Sequence, residues 1–154
     1  MKRIVILIFV LPLIVGISAY ANNTLNDNAD AIVGEYLVRN EIAGNSKVRF
    51  TKNREGTYDC QVVWLQFPTD PKTGKPWLDQ LNPDKSRRNE RCDRLFIVRG
   101  LKYNAAKHQW DGAKVYDPSR GIYANLRCRF LPDGELEIHG SLLGIGESQQ
   151  WQKL

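Results

Sequence analysis

The sequence predicts an all-β protein, an eight-stranded antiparallel up-and-down barrel with one long loop after the third strand. Beyond residue 21, apolar residues recur mostly at every second position, and turn residues interrupt them every eight to twelve positions. This spacing is typical of a β-sandwich or a barrel. Six of the seven connections have hairpin length, so successive strands are expected to be antiparallel neighbours. Closure into a barrel also removes the two unpaired edges of an open sheet.

The first 21 residues have the pattern of an export signal. Lys2-Arg3 precedes the apolar run 4–15, and Ala19-Tyr20-Ala21 provides small residues at both cleavage positions. The alternative is a permanent membrane anchor, but this run is shorter than the roughly 20 residues that span a bilayer. We expect a periplasmic or secreted protein with no stable membrane insertion after cleavage. The predicted organisation is a cleaved signal peptide over 1–21, a flexible N-terminal segment over 22–31 and a barrel domain over 32–154.

The first five strands are predicted in two groups, on either side of the long loop. Ala43-Gly44-Asn45 and Glu55-Gly56 mark the turns of the first group, and Asn104-Ala105-Ala106 marks the turn of the second. The predicted spans are 34–39, 47–53 and 57–66 before the loop, and 95–103 and 109–116 after it.

The last three strands carry the clearest alternation in the sequence. From Ile122 to Leu131, apolar residues alternate with polar or charged ones, as a strand with one buried face requires. Asp117 to Gly121 is the turn before this strand, and Asp133-Gly134 after it is a strong hairpin signal. Gly144-Ile145-Gly146 is predicted as the final turn. The predicted spans are 122–131, 135–141 and 148–153.

The long loop, Pro68 to Asp93, contains about 26 residues and four prolines. A loop of this length in a compact domain is usually functional or has structure of its own. Two interpretations stay open. Leu78 to Arg91 forms a short helical turn over one mouth of the barrel, or the whole segment is a solvated excursion.

The charge balance argues against nucleic-acid binding. Without residues 1–21 the chain has 20 basic and 17 acidic residues. Asp84, Glu90 and Asp93 interleave with the basic residues of the long loop, which favours a solvated loop over a nucleic-acid interface. These basic residues are Lys85, Arg87, Arg88, Arg91 and Arg94.

Catalysis and metal binding are not expected. His108 and His139 lie in no recognised zinc spacing. Asp79, Asp84 and Asp117 adjoin turns with prolines or glycines, which is the usual setting of a structural Asp. An enzyme that uses carboxylates at the barrel mouth is a weaker, third hypothesis. We therefore expect no catalytic residue, no cofactor and no metal.

The inward-facing residues of the predicted strands indicate the leading function, which is binding of a small apolar ligand inside the barrel. This hypothesis requires an internal cavity of at least roughly 300 Å³. The alternative is that the same side chains fill a closed core, and that the protein is a non-catalytic interaction or scaffold module of the cell envelope. The predicted lining residues are Phe50, Tyr58, Val62, Trp64, Leu126, Phe130, Leu136 and Ile138.

A series of short motifs through the chain resembles one bacterial family. They are Ile32-Val33-Gly34-Glu35-Tyr36, Gln61-Val62-Val63-Trp64-Leu65, Asp70-Pro71-Lys72-Thr73-Gly74-Lys75, Asn82-Pro83-Asp84, Gly100-Leu101-Lys102-Tyr103, Trp110-Asp111-Gly112, Val115-Tyr116-Asp117-Pro118 and Gly140 to Glu147 with Trp151. Their order and spacing are similar to those of the secreted proteins grouped as domain of unknown function 2147. The resemblance implies a lipocalin-like, calycin-type β-barrel and an exported protein, and it transfers no catalytic residue.

The resemblance also bears on the cysteines and on the last hairpin. Relatives carry cysteines near the loop end and on the sixth strand, which implies a Cys92–Cys128 disulfide. Pairing of Cys60 with Cys92 is the rival. Many relatives have Gly-Arg-Thr where this chain has Gly146-Glu147-Ser148, so an arginine at this place is not available here for ligand chemistry.

Overall fold

Eight antiparallel strands close into a barrel in the computed structural model, which describes residues 24–154. Each strand pairs with the next along the chain, and β8 pairs with β1. The predicted fold class is therefore confirmed. The predicted signal peptide, 1–21, lies outside the described residues. The strands are β1 Gly34–Val38, β2 Ser46–Lys52, β3 Tyr58–Leu65, β4 Phe96–Asn104, β5 Gln109–Asp117, β6 Ile122–Phe130, β7 Leu136–Leu142 and β8 Ile145–Lys153.

The two ends of the barrel differ in their connections. At the end that we call the mouth lie the β1–β2, β3–β4, β5–β6 and β7–β8 connections. At the end that we call the base lie the other three connections, the N-terminal turns and the C-terminus. The long β3–β4 loop therefore belongs to the mouth.

The last hairpin is longer than predicted. Leu142 pairs with Ile145, so Leu143-Gly144 alone forms the turn, and Ile145 and Gly146 belong to β8. Both turn residues have positive φ, 53° for Leu143 and 83° for Gly144. Two-residue turns of this kind match the twist of the flanking strands, which allows the pairing to continue to the tip.

A β-bulge in β3 changes which residues face the interior. Val48 pairs with Val62, but the next residue back, Lys47, pairs with Trp64, so Val63 is an extra residue in β3. An extra residue reverses the alternation of side chains beyond it. Trp64 therefore lies on the outer face, with 42% of its surface exposed and Lys47 Nζ 5.5 Å from its ring centroid.

Aromatic side chains fill much of the interior. Tyr36 meets Phe50 edge to face with ring centroids 5.8 Å apart, and Phe50 lies 6.3 Å from Trp151. Trp110 and Phe130 form a second edge-to-face pair at 5.7 Å. All five residues are at most 2% exposed. Such pairs stabilise a core by about 0.5–1.5 kcal/mol each beyond their burial.

Residues 24–33, which include most of the segment predicted to be flexible over 22–31, form turns against the barrel. Two 3-10 turns, Thr24–Asp27 and Ala29–Ile32, lie across the base, with Ala31 and Ile32 buried. The Asn26 side chain bonds both main-chain groups of Phe130, at 2.9 and 2.7 Å. Apolar burial and these hydrogen bonds together offset the entropy of ordering the segment. We call residues 24–33 the base plug.

Candidate functional site

The long loop folds over the mouth of the barrel, and neither of the two predicted interpretations describes it fully. Leu78 and Arg91 form a β-bridge, and Cys92 N–H donates to Trp77 C=O at 2.8 Å. The only helical turn between these bridged residues is the short 3-10 turn Lys85–Arg87, which the Asp84 carboxylate caps. The loop is thus held in place by its own pairing, and we call the whole β3–β4 connection, residues 66–95, the cover.

Asp79 fixes this cover to the barrel wall. Its carboxylate is 1% exposed and accepts hydrogen bonds from Tyr116 Oη at 2.7 Å and from Asn82 Nδ2 at 2.6 Å. Burial, followed by the bond to Asp79, raises the pKa of Tyr116, so its hydroxyl stays a donor. Arg88 Nε donates to the Asn82 carbonyl at 2.8 Å. Asp79 is therefore an anchor for the cover.

The other two singled-out carboxylates act as predicted in turns. Asp84 accepts from Ser86 N–H at 2.9 Å, and Asp117 accepts from Ser119 N–H at 2.9 Å. Gly121 completes the second turn with φ +66°, and the Leu81 carbonyl occupies the place where a Cβ would sit. Glycine at this position lets the cover lie directly on the β5–β6 turn.

A pocket of about 50 Å³ lies between the cover and the β1–β2 connection. Its apolar floor consists of interior side chains of the barrel, and the lining also includes the aromatic residues Phe67 and Trp77. Phe67 is 59% exposed, and its ring packs directly over Gly44, where φ is +85°. The floor consists of Val38, Val48, Val62, Ile97 and Trp151.

Three carboxamide side chains form the polar rim of this mouth pocket: Asn40, Asn45 and Gln66. Asn45 Oδ1 accepts from Asn40 N–H at 3.1 Å, and Gln66 Oε1 accepts from Asn45 N–H at 2.8 Å. Since these oxygens hold the backbone of the β1–β2 connection, Asn45 and Gln66 present mainly NH2 donors to a ligand.

The predicted lining residues divide into three groups. Val62 reaches the mouth pocket, whereas Trp64 lies on the outer face because of the β3 bulge. The other six are at most 4% exposed and belong to the packed core. These six are Phe50, Tyr58, Leu126, Phe130, Leu136 and Ile138. The mouth pocket is also much smaller than the cavity of roughly 300 Å³ that the leading hypothesis required.

Sequence reasoning missed most of the pocket because loops supply it. Phe67, Trp77 and the three carboxamides lie outside the predicted strands or at their ends. One signal was present in the sequence: Phe67 and Trp77 are aromatic residues that adjoin prolines within a turn-rich segment. Large apolar residues in such a segment usually either pack against the rest of the protein or belong to a binding site.

The predicted Cys92–Cys128 disulfide is not formed in the structure, nor is its rival, since all three cysteines are free thiols. Cys92 lies beside the mouth pocket, whereas Cys60 and Cys128 are fully buried in the core. Cys92 lies near the end of the cover, whereas Cys128 is an inward residue of β6, paired with Trp110. Burial raises the pKa of Cys92 to about 12 and that of Cys60 well above its usual value.

The histidines lie apart on the surface. His108 Nδ1 is 2.7 Å from Asp27 Oδ1, and His139 Nδ1 is 2.9 Å from Ser148 Oγ. Among residues 24–154, no three His, Cys, Asp or Glu side chains come together as metal ligands. The same residues include no helix with the length and hydropathy needed to cross a membrane.

The comparison with known proteins agrees with this architecture. Residues 34–153 match the family described as an uncharacterized protein conserved in bacteria, domain of unknown function 2147. The chain belongs to this family. The match begins at β1 and ends with β8, so the family unit is the barrel itself. No curated protein matches this family member in sequence.

A solved structure shares the fold of this family member. Protein HP1028 from Helicobacter pylori, described as belonging to the lipocalin family, superposes with a TM-score of 0.63. The alignment covers 80% of this chain and 82% of that one, at 23% sequence identity. This similarity shows that the chain has a lipocalin-like barrel fold.

Proposed function

We propose that this protein is a non-catalytic binding protein that takes the slim apolar end of a small amphipathic molecule into the mouth pocket. The observation that carries the proposal is the pocket itself, with an apolar floor below a rim of carboxamides. Ligand sites generally combine an apolar lining with a few polar groups that orient the ligand. A lipocalin-like barrel is compatible with this role.

The pocket volume sets the kind of ligand. Sites for whole drug-sized molecules measure about 300–1,000 Å³, whereas the mouth pocket measures about 50 Å³. It therefore fits the end of an alkyl chain, and the remainder of the molecule lies along the rim. This revises the expectation of a ligand enclosed in the barrel.

The polar rim of the pocket determines which polar end group of the ligand is favoured. Because the amide oxygens of Asn45 and Gln66 are engaged by backbone N–H groups, their NH2 groups are what remains to orient a ligand. Donors at the rim favour a head group with acceptor oxygens, such as a carboxylate or a hydroxyl. A fatty acid of medium length combines both features.

The pocket lacks the groups that catalysis needs among its described lining residues. Cys92 is the one residue there with an ionisable side chain, and burial keeps its thiol protonated by raising its pKa to about 12. A nucleophilic cysteine requires the opposite shift. These features support a protein that binds its ligand and does not catalyse a reaction.

We also propose that the protein acts in the periplasm or outside the cell. The support is the signal-like pattern of residues 1–21, which ends at Ala19-Tyr20-Ala21. Fractionation of the native host with mass measurement tests this. We expect a processed chain that starts at Asn22 in an exported fraction, and an unprocessed cytoplasmic chain would contradict it.

Calorimetric titration with decanoate tests the binding proposal. Ala43 also lines the pocket, so Ala43→Leu fills the space and should weaken binding at least about tenfold, as expected for loss of an apolar site. Trp64→Ala is the control, because Trp64 is a predicted lining residue on the outer face. Its affinity should stay within about twofold of the wild type.

A second candidate function is an interaction or scaffold module, and the packed aromatic core favours it. The same titration distinguishes the two. Absence of heat with decanoate and with decanol, or unchanged affinity in Ala43→Leu, would contradict ligand binding at the mouth and favour the scaffold.

A further inference from the structure

The tip of the β7–β8 hairpin has a composition that folding alone does not explain. Leu143 is 94% exposed and has φ 53°, a backbone conformation that leucine adopts rarely. Asn or Gly is the usual residue at such a turn position. An exposed leucine here stabilises nothing within the fold, and an outlier of this kind points to a function.

The residues next to this tip continue the same apolar surface. Ile145 is 74% exposed and pairs with Leu142, which is 41% exposed. No charged residue occurs between Ser141 and Gly146. Pairing along the two strands, from buried Leu136 and Trp151 upward, places Leu142 and Ile145 on the inward side of the hairpin. The same pairing places Gln149, beside Ile138, and Glu147, beside Gly140, on this side as well, so polar residues separate the apolar tip from the buried core.

Other mouth connections also present apolar side chains. Ile42 in the β1–β2 connection is 70% exposed, and Phe67 at the start of the cover is 59% exposed. Like Leu143, these residues belong to connections on the mouth side of the strand order. Apolar tips on several loops suit a flat and fluid surface better than a shaped protein groove.

The charges of the two ends differ in sign. The mouth connections, 39–45, 66–95, 118–121 and 143–144, contain nine basic and six acidic residues, and one of the basic residues, Arg39, pairs with Glu135 of the base segments at 3.8 Å. The base segments, 24–33, 53–57, 105–108 and 131–135, contain two basic and five acidic residues. Lys72, Lys75 and Lys85 are exposed within the cover. The mouth is thus the end that an anionic surface attracts.

We propose that the mouth docks peripherally on an anionic lipid bilayer, with Leu143, Ile145 and Ile42 inserted among the headgroups and the basic residues of the cover above them. Apolar insertion and electrostatic attraction add in this kind of binding. The proposal does not depend on occupation of the mouth pocket, because its anchor residues are exposed side chains outside the pocket lining.

Co-sedimentation of the mature protein with vesicles tests this docking. We expect binding to vesicles of phosphatidylethanolamine and phosphatidylglycerol, weaker binding at high salt, and little binding to phosphatidylcholine vesicles. Leu143→Asn should reduce the partition coefficient about tenfold, as for loss of one buried leucine. Ile42→Ser, in a different loop, should also reduce it.

Two controls separate docking from damage to the fold. Leu154→Asn makes the same change at a 58% exposed leucine of the base and should bind like the wild type. The melting temperature of Leu143→Asn should be equal or higher, because asparagine tolerates positive φ.

Three outcomes would overturn the proposal. They are no binding of the wild type to anionic vesicles, equal binding to both lipid compositions, and equal binding of Leu143→Asn. A dimer in analytical ultracentrifugation that Leu143→Asn dissociates, without vesicle binding, would assign this surface to a second copy of the chain.

Discussion

At the scale of residues, buried hydrogen bonds to Asp79 hold the cover against the barrel. The Tyr116 hydroxyl donates to the Asp79 carboxylate in a site that water does not reach. Tyr116→Phe removes one of the two side-chain donors to this carboxylate, and an under-bonded buried acceptor costs about 1–3 kcal/mol. We therefore expect a lower free energy of unfolding and faster proteolysis within residues 66–95.

Tyr123→Phe is the matched control for this prediction. Tyr123 stacks on Tyr116 with ring centroids 4.7 Å apart, but it is 37% exposed and water can solvate its hydroxyl. Urea unfolding should show a change below about 0.5 kcal/mol, as for most surface substitutions. An equal decrease in the free energy of unfolding in both variants would refute the anchor role of Asp79.

The three thiols give a second prediction at the residue scale. Cys60 and Cys128 are fully buried and Cys92 is 7% exposed, so the native protein should react slowly with a thiol reagent. Without any reductant, unfolding in guanidinium chloride should expose three reactive thiols. A count of one thiol would instead reveal a disulfide such as the Cys92–Cys128 bond that family resemblance implied.

Trp64 shows why some residues of the site could not be predicted. Strict alternation from Tyr58 through Val62 predicts an inward Trp64, and the prediction fails because one bulge residue, Val63, reverses the order. A bulge depends on the pairing with β2, which a single strand sequence does not reveal. Alternation correctly placed the other seven predicted residues in the interior.

At the scale of elements, the base plug is hydrogen-bonded to strands around the whole barrel, from β1 to β6 and β8. Tyr36 Oη donates to the Ile32 carbonyl at 2.8 Å, Trp110 Nε1 donates to Ala29 at 2.9 Å, and Lys153 Nζ donates to Ala31 at 2.5 Å. Composition predicted a flexible segment because the stretch is polar. The acceptors that order it are mainly backbone carbonyls, which any sequence has, so only the tertiary fold shows their use.

The plug should loosen in acid. The bond from Lys52, followed by that from Tyr58, lowers the pKa of Asp30 below its ordinary 3.8. A carboxyl with a depressed folded pKa stabilises the fold above its unfolded pKa, and the stabilisation is lost as the pH falls through the folded pKa. The contribution of Asp30 is therefore complete at neutral pH and disappears below pH 3.8.

Asp30→Asn tests this pH dependence. The variant should be less stable than the wild type at neutral pH, and the difference should shrink below pH 3.8. Asp133→Asn, which replaces an exposed carboxylate in the β6–β7 turn at the same end, is the control. Urea midpoints followed by tryptophan fluorescence measure all three proteins. A pH-independent difference between Asp30→Asn and wild type would contradict the assignment.

For the molecule as a whole, the sequence was sufficient to predict the number of strands, the order of the strands and the closed topology. Alternation and short turns determine these features locally, and strand ends differ from the prediction by one residue in most cases. The mouth pocket was harder to predict because it lies where two connections meet. Its volume follows from how far the core aromatics and the cover approach each other, which no local pattern encodes.

The central claim is that the barrel recognises its ligand at the mouth, above a closed core. Amide NMR titration with decanoate tests this claim most directly. We predict shifts for residues around the pocket, such as Ala43, Gln66 and Trp77, with Phe130 and Ile138 unchanged. Shifts concentrated on Phe130, Leu136 and Ile138, or no shifts at all, would contradict it.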